Sequence, residues 1–186
     1  LSYLAEDELD FSPFSAVAVP VFPSDEIKII KSRFITALVE FTKLDLNIEL
    51  ANWPDFTAKA GEIIEVPISS ENLKRIYLVG VGESNNEDMR KAATSLGRRI
   101  KGNNVTLLSA LSNNKEQIVN QAISFILSNY QYTLKSEPKD KKPEFVIYGD
   151  FEEEIERAQI MATAVWQARD LIHTLSLIHI SEPTRR

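Results

Sequence analysis

Five groups of residues have the types and spacing to do chemistry. Gly80-Val81-Gly82 closes an apolar run and precedes a cap cluster, Ser84-Asn85-Asn86. A glycine pair between strand and helix lets backbone N–H groups approach a phosphate, and the helix N-terminus adds positive potential. The third glycine of a dinucleotide-binding loop is missing, and tight-turn geometry alone accounts for the pair. Asp150 with Glu152, Glu153 and Glu154 offers carboxylates to a cation, but successive helix residues point to different faces and a solvated helix start is the simpler reading. His173 offers a ligand or base; it has no cysteine to join it, and its simpler role is a favourable charge near a helix C-terminus. Arg90, Lys91, Arg98, Arg99 and Lys101 form a basic group for nucleic acid or a partner subunit; nothing beside them reads bases, and a solvated face is the better account. Tyr130 and Tyr132 offer interface anchors or local packing over a sheet. None of these is a catalytic constellation, so no catalytic, cofactor-binding or metal residue is assigned.

The element that must position the glycine pair is Arg75-Ile-Tyr-Leu-Val-Gly-Val-Gly-Glu83, whose apolar, β-branched and aromatic make-up predicts a strand buried on both faces. Around it, residues 1–13 are acidic and read as a mobile or edge segment. Residues 15–22 read as the first strand, with Pro20 placing that end at an edge or bulge because it cannot donate to a ladder. Ser24, Asp25 and Glu26 read as a helix start, and Ile27, Ile30, Phe34, Leu38 and Phe41 extend the helical spacing over residues 25–42. Residues 51–59 read as a loop carrying Trp53 and Pro54. Residues 62–68 form the second strand, and the short turn at 69–72 leaves it antiparallel or adjacent to the stretch from Arg75.

Helices are then expected over residues 87–100 and 114–129, with Met89, Ala92, Ala93 and Leu96 facing inward on the first and Ile118, Ala122, Phe125 and Ile126 on the second. Strands are expected over 105–111 and 144–148, a polar proline-bounded loop over 135–143, and a long helix over 151–173. Strands alternating with helices of this length give an α/β fold with a mixed, largely parallel sheet. No internal repeat is visible.

The chain has 186 residues, no cysteine and a formal charge of −6. A core at this size needs no disulfide or metal, and disulfides and thiolate metal sites are excluded. The acidic balance argues against general nucleic-acid or anionic-membrane binding, and no apolar run approaches a membrane span. With no leader pattern at the start, a cytoplasmic location is expected; the first residue is Leu rather than Met, so the N-terminus is expected to be cut.

Residues 175–185 read Leu-Ser-Leu-Ile-His-Ile-Ser-Glu-Pro-Thr-Arg, residue for residue the in-frame translation of a transposase adapter used in sequencing libraries. Residues 175–186 are therefore set aside from fold reasoning, His179 with them. The natural protein is expected to continue beyond Thr174.

Several segments, in order, resemble the N-terminal domain of the leucyl (cytosol) aminopeptidase family. Phe56-Thr-Ala-Lys-Ala-Gly-Glu62 is similar to the lead-in to the family's second strand, and Ile76-Tyr-Leu-Val-Gly-Val-Gly82 to its Leu-Leu-Val-Gly-Leu-Gly strand. Arg90-Lys91-Ala92-Ala93 resembles the start of the following helix, and Tyr130-Gln-Tyr-Thr-Leu-Lys-Ser136 an aromatic turn ending in Lys-Ser. Ala162-Thr-Ala-Val-Trp-Gln-Ala-Arg-Asp-Leu171 resembles the connecting helix that leads toward the catalytic domain. His173 stands where the family has Asn, and Trp166 is bulkier than expected.

The resemblance implies a macro-domain-like α/β fold with helices on both faces of the sheet. It divides the chain into an N-terminal domain (1–150), a connecting helix (151–174) and the adapter-like tail (175–186). It further implies a parent enzyme that releases N-terminal amino acids using two divalent metals, zinc or manganese, held by Lys, Asp and Glu of a second domain, in a hexamer. The family signature Asn-Thr-Asp-Ala-Glu-Gly-Arg-Leu is nowhere in this chain, so no cofactor is assigned to it and the fragment is expected to be inactive. Some bacterial members bind DNA, but nucleic acid is not the expected partner here. The alternative is a stand-alone macro-domain-like module binding a nucleotide or ADP-ribose; a third reading is a purely structural assembly domain.

Overall fold

In the computed structural model, residues 1–24, 27–132 and 142–180 are described, with side chains through residue 175. Val17, Val19 and Val21 point to one side of their strand while Ala16 and Ala18 point to the other, the period-two alternation of extended chain. That strand, β2 (Ala16–Val21), lies inside a six-stranded sheet with β1 (Ser2–Leu4), β3 (Ile63–Pro67), β4 (Arg75–Gly80), β5 (Thr106–Ser109) and β6 (Glu144–Tyr148), in the order β1-β6-β5-β2-β4-β3. Every pairing is parallel except β3 with β4. The antiparallel pair follows from the short turn between those two strands, which leaves no room for a crossover.

The alternation divides the interior between two faces. On one face Val17, Val19, Ile76, Leu78 and Leu108 pack with α1 (Arg33–Thr42) and α2 (Leu46–Ala51). On the other, Ala16, Ala18, Tyr77, Val79, Leu107 and Phe145 meet α3 (Asn86–Ile100) and α4 (Lys115–Ser128). α5 (Glu152–Ile180) joins this second face through Ile155 and Ala158, which pack with Ile118 and Ala122 of α4 and Ile147 of β6. The expected α/β class, mixed and largely parallel with helices on both faces, is the observed one.

Two expectations change and one is met: β2 is an interior strand, but its Pro20 end has no β5 partner, the edge-like end that the proline requires. Its ladder with β5 spans only Ala16 to Ala18 and closes with the Ala110 N–H donating to the Ala18 carbonyl. Pro20 lies two residues on, facing the same side, where β5 has already turned away, so its missing N–H leaves no gap. The first helix begins at Arg33 rather than Asp25. Ser32 caps it, its hydroxyl accepting from the Ile35 N–H, while the Ile29 N–H donates to Asn47 Oδ1 on α2 at 2.9 Å and its side chain is buried in non-helical chain. A tertiary partner for that backbone group overrides the helical spacing of Ile27 and Ile30. Asp25 and Glu26 lie outside the described residues. α2, with Asp45 capping it and Leu46 and Leu50 buried four apart, was not anticipated.

Residues 1–13 supply the edge strand β1, tied to β6 by the Gly149 N–H on the Leu4 carbonyl. α5 runs past His173 to Ile180, because neither glycine nor proline occurs between residues 152 and 182 to stop it. The polar loop expected over 135–143 lies mostly outside the described residues.

Candidate functional site

Gly80 and Gly82 sit where the sequence places them, at the carboxyl end of β4 ahead of α3, but the turn has partners from its own chain. The Gly80 N–H donates to the Glu62 carbonyl, the Gly82 N–H to the Ala58 carbonyl at 3.1 Å, and the Glu83 N–H to Asp88 Oδ2 at 3.0 Å. A carboxylate of α3 thus stands where an incoming phosphate would be received. A Cβ at Gly80 would lie 2.3 Å from the Lys59 carbonyl oxygen, so the glycine is there to let the residue 58–60 backbone lie against the strand. Gly82, at φ +55°, makes the turn itself. The pair is scaffold. Asp88→Ala is expected to lower unfolding free energy by about 1 kcal/mol, the worth of one such hydrogen bond, measured by urea denaturation.

The acids at the start of α5 do not converge. Glu154 pairs with Lys115 of α4 at 2.8 Å, and that hydrogen bond holds its carboxyl below the usual range, while Glu152 faces Tyr3 and pushes the phenol up. Among the described residues no group of three or more His, Cys, Asp or Glu could hold a metal ion. The basic group is largely engaged: Lys91 with Glu87 at 2.7 Å, Arg99 with Glu65 at 3.4 Å, and Lys101 with the Tyr130 carbonyl at 2.9 Å. Arg90 and Arg98 remain exposed on α3.

His173 and the tyrosine pair, two separate groups in the sequence, come together. His173 stacks on Tyr132 at 4.8 Å and on Tyr130 at 6.2 Å between ring centroids. The Tyr130 hydroxyl donates to Asp170 at 2.8 Å, Arg169 covers the same ring at 5.4 Å, and Trp166 tilts against it at 6.0 Å. The tyrosines therefore clamp the later turns of α5 instead of packing over the sheet. Spacing did hold the signal, since Trp166, Arg169, Asp170 and His173 recur at three and four on one helix face, but their partner in the α4–β6 connection is a tertiary fact. Burial, then the Asp170 hydrogen bond and charge, push the Tyr130 phenol up to about 12. A raised phenol stabilises the fold below its unfolded value near 10, and that contribution is lost as pH climbs toward 12. Absorbance titration at alkaline pH is expected to show one tyrosine ionising late, and Tyr130→Phe to remove that late step.

The feature that residue types did not reveal is a crevice of about 340 Å³. It opens at the carboxyl ends of β2, β5 and β6, lined by Pro20, Phe22, Leu111, Tyr148 and Phe151 and closed by the first turn of α1. β2 is where the strand order reverses, β4 lying to one side and β5 to the other, and such a switch point is where open α/β sheets form clefts. Strand order alone locates it.

A model of the cytosol aminopeptidase family, N-terminal domain, matches residues 38–138, more than half of the chain. The chain belongs to that family. No curated protein matches it by sequence. Solved structures of similar fold include a point mutant of tomato leucine aminopeptidase, 18% identical with a TM-score of 0.62, covering 88% of this chain and 35% of that one. The bottromycin maturation enzyme BotP is 18% identical with a TM-score of 0.61, covering 86% and 32%. The cytosol aminopeptidase from Coxiella burnetii is 18% identical with a TM-score of 0.58, covering 91% and 33%. The chain spans about a third of the length of each. Within this aminopeptidase-family domain the described residues bring together no set of carboxylates and imidazoles fit for a metal, so no hydrolytic step is derived from them. Among them no helix is long and apolar enough to cross a membrane.

Proposed function

We propose that this chain serves as the non-catalytic N-terminal domain of a metal-dependent leucyl aminopeptidase, an enzyme that releases N-terminal amino acids from peptides, and that alone it is inactive. The family match over residues 38–138 carries the reading. The one-third coverage of the similar structures is in keeping with a larger parent, and BotP has also been solved in complex with Mn. In the parent, two divalent ions, zinc or manganese, would be held by a second domain, where they activate water and polarise the scissile carbonyl. This domain would then contribute to assembly, a hexamer being the expected state and the cytoplasm the expected location.

The outer face of α5 supports the same reading. Ile160, Leu171 and Ile172 are 73%, 65% and 63% exposed, an unusual display of large apolar side chains along one helix that further protein would cover. The residues from Leu175 onward are read as adapter-derived.

The test is a hydrolysis assay of the purified chain on leucine p-nitroanilide with added manganese or zinc. The expected result is no turnover above the metal-only rate. Metal-dependent turnover that a chelator abolishes would overturn the reading.

A further inference from the structure

α5 is a helix with three faces. One packs on its own domain: Ile155, Ala158 and Ala162 are buried, and Trp166 and His173 lie against the tyrosines of the clamp. A second is polar and exposed, with Glu156, Thr163 and Gln167. The third lies about a third of a turn from the first, at 3.6 residues per turn. It carries Ala164, Val165, Ala168, Leu171 and Ile172, all of them exposed. They recur three and four apart, the interval of a helix-packing seam, so the exposed apolar residues of this stretch form a second stripe. Between Met161 and Thr174 the only carboxylate and guanidinium are Asp170 and Arg169. Both are held at Tyr130, and neither is turned into the seam.

The order of sizes along this stripe says what fits it. Counted from Ala168 it reads the same in both directions: apolar residues stand three and four positions before it and three and four after it. Laid antiparallel on its own copy with Ala168 at the crossing, the helix brings Val165 against Leu171 and Ala164 against Ile172, each pair twice. A smaller residue then meets a larger one along the seam, which fills space evenly, and alanine on the two-fold axis lets the backbones come close. A parallel pairing instead sets Ala164 on Ala164 and Ile172 on Ile172, a gap beside a crowd. Met161 would meet Leu175 one turn further out. The five inner positions all precede Leu175 and owe nothing to the adapter-derived tail.

We propose that this face is an isologous two-fold contact, covered by a second copy of the same chain with α5 antiparallel on α5 and crossing at Ala168. The pairing rests on the helix alone and stands whatever the hydrolysis assay shows. With about seven residues a side against the 20–30 of a standard interface, the contact is weak, its dissociation constant about 1–100 µM.

Sedimentation velocity of the full chain, from low micromolar to several hundred micromolar, is expected to pass from monomer to dimer and no further. Ala168→Glu puts two carboxylates together on the axis and is expected to weaken the dimer by more than about a hundredfold. The melting temperature of the dilute protein is expected to stay unchanged, because Ala168 is exposed. Gln167→Glu adds the same charge on the polar face and is expected to leave the dimer as strong as before. Cross-linking reads the direction of the helices, and the absence of native cysteine makes it clean. Ala164→Cys and Ile172→Cys are each expected to stay monomeric on a non-reducing gel after oxidation, and their mixture to give a covalent dimer. Monomer at every concentration, assembly beyond a dimer, a dimer that Ala168→Glu leaves intact or that Gln167→Glu breaks equally, or covalent dimer from either cysteine variant alone overturns the proposal.

Discussion

Gly80→Ala is expected to be among the most damaging single-methyl changes in the protein. The added Cβ would meet the Lys59 carbonyl oxygen at 2.3 Å and the Ala58 carbonyl carbon and oxygen at 2.7 and 2.9 Å. All three are backbone atoms, so no side-chain rotation relieves the clash. The segment around Ala58 is itself fixed: Ala58 is fully buried, and its carbonyl accepts from the Gly82 N–H. Either β4 or the residue 58–60 backbone must shift, and overpacking of this kind costs about 3 kcal/mol. At this chain length that corresponds to a fall in melting temperature of roughly 6–12 °C. Gly102→Ala is the control. Its φ is +80° but nothing lies within 4 Å of the new methyl, so only backbone strain remains, about 1 kcal/mol. Equal losses at the two positions would show that the β4 end is not the tightly packed scaffold described.

Phe125→Ala is the second large effect. The ring is fully buried on α4, stacked on Phe145 of β6 with centroids 4.5 Å apart, and it lies beside Gly97 of α3. Truncation leaves a cavity bounded by three elements that cannot collapse together, and Phe-to-Ala changes at such sites cost about 3–5 kcal/mol. Domains of this kind hold roughly 5–15 kcal/mol in total, so a substantial unfolded fraction is expected at 37 °C. Phe125→Leu keeps most of the volume and is expected to lose less than half as much. Denaturant midpoints for both variants, at unchanged slope, provide the check.

Local chemistry made much of this fold legible. Asn85 and Asn114 cap α3 and α4 as side-chain acceptors, and the sequence places those helix starts within a residue or two. The apolar run from Ile76 to Val79 is a doubly buried strand in both sequence and structure. Where the reading failed, a distant residue had taken over a local group. Asn47 binds the Ile29 N–H and keeps residues 27–32 out of α1.

The candidate sites follow the same division. That Gly80 and Gly82 serve a turn is legible locally, but that Asp88 fills the anion position is legible only in three dimensions. The aromatic clamp and the crevice depend on which strands and helices meet, which no spacing encodes.

The central claim is that the chemistry associated with this domain lies in sequence beyond Thr174. Sequencing the source DNA across codon 174, upstream of any adapter, tests it most directly. The predicted result is an open frame continuing into a domain that carries the Lys, Asp and Glu ligands of a two-metal site. A native stop codon there, or a frame leading into a domain without those ligands, would contradict it.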